Sequence, residues 1–376
     1  MEKIRIIVKQ IKPNDSVAWD AYVLSHPNAT LYHLSGWKNI IKKTYAHKTY
    51  YLIAIDSSKL KAQSSSNPSN PTNPTNPVIG ILPLVHIKHF LFGNSLISIP
   101  FFDLGGILAD NDEVEKALLT EAVQLAQKLK AKNIELRHTQ PLSCLRELNP
   151  TNPITIVTKS HKVRMLLDLP ESSEELMKSF KSKLRSQIKK PVKEGLKSKI
   201  GGLELIDDFY EVFLINMRNL GSPVHSKKLI QNVIEEFPEK TKIVIVYKEA
   251  QPIACSLVVS FKDTLENPWA SALRKYSRLS PNMLLYWTMQ KYACDNGFKY
   301  FDFGRSTPEE GTYKFKKQWS AKPFPLHWQY ISLNGKSIEK ETPEKSKFDK
   351  AIKFWQKLPV PVTKILGPMI RKYIGL

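Results

Sequence analysis

Pro281-Asn-Met-Leu-Leu-Tyr-Trp-Thr-Met-Gln-Lys-Tyr-Ala-Cys-Asp-Asn296 reads as a helix, and Lys299-Tyr-Phe-Asp-Phe303, ending at Gly304-Arg305, reads as the strand that follows it. Three strand-like runs precede that helix: Lys242 to Tyr247, Pro252 to Phe261 and Pro268 to Leu273. The first half of the chain shows the same order. Strand-like runs at Thr49 to Ile55, Val78 to Ile87 and Leu96 to Phe101 lead into a helix-period stretch from Glu113 to Lys132 and then Asn133-Ile-Glu-Leu-Arg137. Each half opens with aromatic-rich, helix-like segments, Trp19 to Tyr45 and Asp207 to Phe237, so one α/β module is used twice. Short connections pair strands antiparallel, and only the helix-linked pair needs a parallel crossover. The expected fold is therefore α/β (α+β), with two tandem modules built on mixed, mostly antiparallel sheets and a C-terminal helical tail. The expected boundaries are 1–158, 159–334 and 335–376, with an insertion at 64–77.

Of the 376 residues, 42% are hydrophobic and 24% charged, which excludes wholesale disorder. Lys and Arg number 56 against 35 acids, a net charge of +21 that favours anionic partners. Cys144, Cys255 and Cys294 are far apart, without the spacing of a disulfide framework or a zinc site, and a reducing cytoplasm is expected. The start, Met1 to Lys9, reads as a first strand, because its charges are dispersed where a signal peptide has a continuous apolar region. Leu91 to Ala109 approaches membrane-span length but holds Asn94, Pro100, Asp103 and Gly105-Gly106. The run Asn67 to Pro77, with proline at every third position, cannot pair in a sheet and is expected as an exposed loop tip.

Asp302-Phe-Gly-Arg-Ser306 follows a strand and precedes Gly311-Thr-Tyr-Lys-Phe-Lys-Lys-Gln-Trp319, which gathers Asp302, Arg305, Tyr313, Phe315 and Lys316 at one end of a sheet. A kinase reading fails, because no H-R-D motif precedes the D-F-G. Lys181, Arg185 and Lys189 fall at i, i+4 and i+8, one helix face that suits either phosphate or solvent, with Pro191 ending or kinking the helix. No Gly-rich strand-to-helix turn suggests NAD or ATP, and no histidine spacing suggests a metal, so no cofactor is expected. No nucleophile elbow or cysteine–histidine motif appears, which leaves direct attack without a covalent intermediate.

Trp19-Asp-Ala-Tyr22, Ser25-His-Pro-Asn-Ala-Thr30, Trp37, Leu82-Pro83-Leu84, Pro100-Phe101 with Gly105-Gly106, Glu135-Leu-Arg137, Arg218-Asn-Leu-Gly-Ser-Pro223, Asp302 to Ser306 and Tyr313-Lys-Phe-Lys316 together resemble the FemAB family. The likeness is to its branch associated with the PEP-CTERM and exosortase system. It implies tandem GNAT-like domains and transfer of an acyl or aminoacyl group to an amine on a cell-envelope or exopolysaccharide precursor. By resemblance, Phe315-Lys316 matches the family's Phe-Lys pair, whose lysine donates to the carbonyl oxygen as it becomes an oxyanion. Trp37 and Lys42 resemble the acceptor-phosphate region and Arg218 the arginine near the cleft, while Asp103 could accept the amine's proton. The chain lacks both the long coiled-coil insertion seen in some wall-building members and the Q/R-x-x-G-x-G/A turn of ordinary acyl-CoA enzymes. Aminoacyl-tRNA and acyl-CoA both stay open as donors, and the expected acceptor is an anionic nucleotide- or lipid-linked sugar; DNA is not expected.

In the tail, Phe348, Ala351, Ile352 and Trp355 share a helical face that can pack on the body or lie on an anionic inner-membrane surface. The alternative to catalysis is a non-catalytic GNAT-fold protein that uses the same basic surface to hold a phosphate-bearing glycolipid or RNA.

Overall fold

The computed structural model describes residues 5–58, 77–144, 154–333 and 345–375. The Asn-Pro insertion at 64–77, apart from Pro77, and the Lys/Glu-rich start of the tail lie outside the described residues. The chain begins with β1 (Ile6–Gln10), α1 (Ser16–Ser25), α2 (Gly36–Tyr45), β2 (Lys48–Asp56), β3 (Val78–His89), β4 (Gly93–Ser98) and β5 (Leu108–Ala109). Next come α3 (Asp112–Lys128), β6 (Asn133–His138), β7 (Thr155–Lys159), β8 (Val163–Asp168), α4 (Ser173–Ser179), α5 (Ser182–Lys193) and β9 (Leu196–Gly201). The second series continues with α6 (Ile206–Leu220), α7 (Lys227–Glu236), β10 (Thr241–Lys248), β11 (Gln251–Phe261), β12 (Thr264–Ala272), α8 (Pro281–Asp295), β13 (Tyr300–Ser306) and α9 (Gly311–Lys317). It closes with β14 (Lys322–Pro325), β15 (His327–Ser332), α10 (Lys345–Lys357) and α11 (Val360–Arg371).

Two units result, one from residues 5–160, 326–333 and 373–375, the other from 161–325 and 345–372. The first sheet runs β1-β2-β3-β4-β6-β15-β7 with β5 on β3, and the second runs β14-β8-β13-β12-β11-β10-β9. Among the described residues every pairing is antiparallel except β4 with β6 and β12 with β13, the two pairs joined through α3 and α8. α3 shows why the crossover forms. Asn111 caps it by accepting from the Val114 N–H at 3.0 Å, acids fill its first turn, and Val114, Leu118, Leu119, Ala122 and Ala126 make one buried face.

Three expectations need correction. The boundary at 334 assigned His327–Ser332 to the second module, but β15 pairs with β6 and β7 in the first sheet. The strand expected from Leu96 to Phe101 stops at Ser98, because Ile99 and Phe101 take left-handed backbone angles of φ 48° and 79°. Pro191, expected to end or kink its helix, does not end it at once: α5 continues two residues to Lys193, since a proline so near the C-terminus costs a single backbone hydrogen bond and its ring is buried.

The tail packs on the second unit. Trp355 is buried, and Ile352 lies against Gly221, the left-handed residue that ends α6. Thr363 and Gly367 turn α11 inward, with Gly367 on Val224.

Candidate active site

The site is built where β12 and β13 part. Their parallel ladder covers only Thr264 to Glu266 against Tyr300 to Asp302, although β12 continues to Ala272 and β13 to Ser306. The ladder thus stops within both strands, short of their carboxyl ends. A bulge between Asp302 and Arg305 shifts the register of β13 against β8, and Gly304 sits in it at φ 73°. That left-handed angle favours glycine, and a Cβ there would also lie 3.1 Å from the Asn267 carbonyl.

Asp302 fixes the bulge from within. One carboxylate oxygen accepts the Gly304 N–H at 2.7 Å and the other accepts from Arg164 Nε. Arg164 also lies 3.7 Å from Glu266, so one guanidinium serves two buried carboxylates at the last paired rung. From the other side, α9 delivers Lys316. Its buried ammonium donates to the carbonyls of Gly304 at 3.1 Å and Arg305 at 2.7 Å.

Phe315, the other half of the pair, points into the core. Its ring meets Tyr286 edge-on at 5.0 Å and Trp319 at 6.2 Å, which anchors α9 and aims Lys316 at the bulge. Tyr286 in turn stacks on Phe303 at 5.4 Å. Burial pushes its phenol up to about 12, opposed by the Asn267 side chain. Tyr313 is buried with the Lys317 ammonium 5.7 Å over its ring, and Arg305 is half-buried. Asp302, Arg305, Tyr313, Phe315 and Lys316 are thus brought together.

Other candidates are placed elsewhere. Arg218 donates to the Gln356 carbonyl and holds α10 on α6. Lys181 precedes α5 as its cap residue, and Arg185 donates to the carbonyls of Lys178 and Phe180. Of the expected cationic rail, Lys181 and Lys189 are exposed, while Arg185 closes the end of α4. In the first unit Trp37 has no exposed surface: its indole N–H donates to Leu31 O at 2.9 Å and its ring packs 4.4 Å from Phe102, so it supports that loop from beneath. Lys42 is exposed, and Asp103 is half-buried with its carbonyl accepting from Trp328 Nε1.

Two features escaped the sequence reading. Arg164 and Glu266 sit on different strands far from Asp302 in sequence, with no motif to join them. Arg274, Lys275 and Arg278 form an exposed basic turn before α8, whose first turn has no side-chain cap. The dense cations ahead of Pro281 were the legible signal, and an uncapped helix start beside them suits phosphate.

The first unit has the matching pair of strands, joined by the three rungs Ser95 to Ile97 against Asn133 to Glu135. Arg137, with no exposed side-chain surface, donates to the carbonyls of Ile99 and Phe102 and pairs with Glu135 at 2.7 Å. Beside it is a cavity of about 120 Å³ lined by His26, His33, Glu115, Arg137 and His138 among others.

His138 is locked in one tautomer. Its Nδ1–H donates to Gln329 Oε1 at 2.6 Å, and its Nε2 accepts the Ile107 N–H at 2.7 Å. Burial lowers it to about 4 and His33 to about 3. Both are neutral in the fold and bind protons more readily once unfolded, so their contribution is complete above about pH 6.5 and is lost as pH falls toward 4. Urea titrations from pH 7 to pH 4 should show a loss on the order of 3 kcal/mol traceable to His138, and a His138→Gln variant should show a shallower slope.

Residues 178–317 match the Acetyltransferase (GNAT) domain family. The matched segment lies in the second unit and contains β12, β13, Asp302 and Lys316. In fold, the chain is similar to the crystal structure of FemX, at 17% identity and TM-score 0.61 over 87% of this chain and 98% of that one. It is also similar to L-PGS from Bacillus licheniformis, at 10% identity and TM-score 0.54 over 98% of both chains. A tandem GNAT protein from the clavulanic acid biosynthesis pathway aligns at 8% identity and TM-score 0.52 over 89% of this chain and all of its own. No curated protein sequence matches. The architecture is two GNAT-like units in tandem with C-terminal helices.

Proposed function

We propose that the chain is a FemAB-like N-acyl or aminoacyl transferase, forming an amide on an amino group of a cell-envelope or exopolysaccharide precursor of the kind the PEP-CTERM and exosortase resemblance implies. One observation carries this reading: inside the segment that matches the GNAT family, the buried Lys316 ammonium is held by the Gly304 and Arg305 carbonyls at the bulge where the β12–β13 ladder has ended.

The acceptor amine attacks the acyl carbonyl carbon, the carbonyl electron pair moves to oxygen, and collapse of the tetrahedral species expels the tRNA hydroxyl or CoA thiol. The amine's proton leaves to the leaving group or to water. Lys316 supplies a fixed positive charge for the oxyanion, oriented before reaction by the Gly304 and Arg305 carbonyls. The turn at Arg274, Lys275 and Arg278 with the start of α8 is suited to the phosphates of either donor. Lys189, exposed on α5 of the second unit, is the cation proposed for the anionic acceptor.

Calorimetry with acetyl-CoA and with charged and uncharged tRNA, each at two salt concentrations, tests the reading. Saturable binding of acetyl-CoA, or preference for charged over uncharged tRNA that survives added salt, is the expected result. Salt-labile binding that ignores the aminoacyl group would instead favour plain polyanion binding.

A further inference from the structure

α11 is amphipathic in the reverse of the usual sense. Its small residues Thr363 and Gly367 face inward, while Val362, Ile365, Leu366 and Met369, at i, i+3, i+4 and i+7, face outward, with Ile365 67% and Met369 59% exposed. The residues from 350 to 375 include Lys350, Lys353, Lys357, Lys364, Arg371 and Lys372 and no acid. An outward apolar stripe among cations is the composition of a helix that lies in a bilayer interface.

The first unit carries a second element of the same chemistry. The three-residue loop between β3 and β4 is Phe90-Leu91-Phe92, with Phe90 88% and Leu91 71% exposed, where a hairpin tip is ordinarily polar. Its base is tied to the end of α3: Asn94 Nδ2 donates to the carbonyls of Leu129 and Lys130, and the Lys132 N–H donates to Asn94 O. Lys88, Lys128, Lys130 and Lys132, all exposed, therefore belong to this end of the unit, and neither 86–95 nor 127–134 contains an acid. Tyr373 stacks on Phe92 and lies 4.3 Å from His89, adding an aromatic ring with a polar tip.

We infer that the outer stripe of α11, in the second unit, and the Phe90–Phe92 tip, in the first, are each a peripheral contact for an anionic phospholipid bilayer. The charge selects an anionic partner. The repetition of one chemistry on two unrelated elements suits a bilayer, which offers the same apolar layer beneath anionic headgroups everywhere, over a protein groove shaped for one helix. No helix among the described residues is long and apolar enough to cross a membrane, so the contact is interfacial. This inference is independent of the proposed activity.

Sedimentation of the full chain with vesicles tests it. Vesicles containing phosphatidylglycerol should bind the protein, and phosphatidylcholine vesicles should bind it at least about 10-fold more weakly. Ile365→Ser with Met369→Ser, and separately Phe90→Ser with Leu91→Ser, should each weaken binding by about 10-fold or more with an unchanged melting temperature, since these side chains are exposed. Absence of wild-type binding to phosphatidylglycerol vesicles overturns the inference, as does binding that neither variant pair alters. Concentration-dependent dimerisation abolished by the α11 pair would overturn it in favour of a second copy of the chain.

Discussion

Lys316→Ala should lower turnover by on the order of 10²-fold or more on the donor that calorimetry identifies, while donor affinity changes little. A charge that stabilises only the developing oxyanion contributes to the transition state and not to the ground state, so the loss falls on kcat. Lys316 also holds two carbonyls of the bulge, and alanine would leave them unsatisfied. Lys316→Arg separates these duties: it keeps the charge but changes the geometry, and its melting temperature should recover more fully than its kcat. Wild-type turnover in a folded Lys316→Ala protein would remove the lysine from the chemistry.

Arg164→Ala should destabilise the second unit by about 3–5 kcal/mol, because it leaves Asp302 and Glu266 buried without their shared cation. Urea denaturation at pH 7 reads this directly. A triple variant, Arg164→Met with Asp302→Asn and Glu266→Gln, should be closer to wild type than Arg164→Ala alone, because no buried charge remains uncompensated. An Arg164→Ala protein as stable as wild type would mean that water reaches the carboxylates and the cluster does not brace the bulge.

The repeated strand–helix–strand order was legible in sequence because it rests on local periodicity, and β10 to β13 with α8 occur where the pattern puts them. The Asp302 to Lys316 cluster was equally legible, being one short stretch of chain. What stayed hidden depends on distant pairing. Nothing near Arg164 announces that it will face residues more than a hundred positions later. Arg137 reads as the end of a strand, yet its role follows from the left-handed angles at Ile99 and Phe101, which turn two carbonyls toward it. Trp37 looked like a contact residue because aromatic side chains serve cores and binding surfaces alike, and only burial tells them apart.

The placement of β15 between β6 and β7 bears on how the molecule is made. Synthesis delivers β1 to β7 first, but among the described residues β7 pairs only with β15, and β6 has an open edge until β15 arrives. The intervening 161–325 segment must therefore leave the ribosome before the first sheet can close. During that interval the nascent chain presents an unpaired strand edge, the kind of surface that chaperones cover and that otherwise recruits other chains. A fragment ending near residue 160 is not the first unit in isolation. It lacks the strand that joins β6 to β7, and a gene cut there would yield an aggregation-prone product where one rejoined to 326–333 through a short linker would complete the sheet.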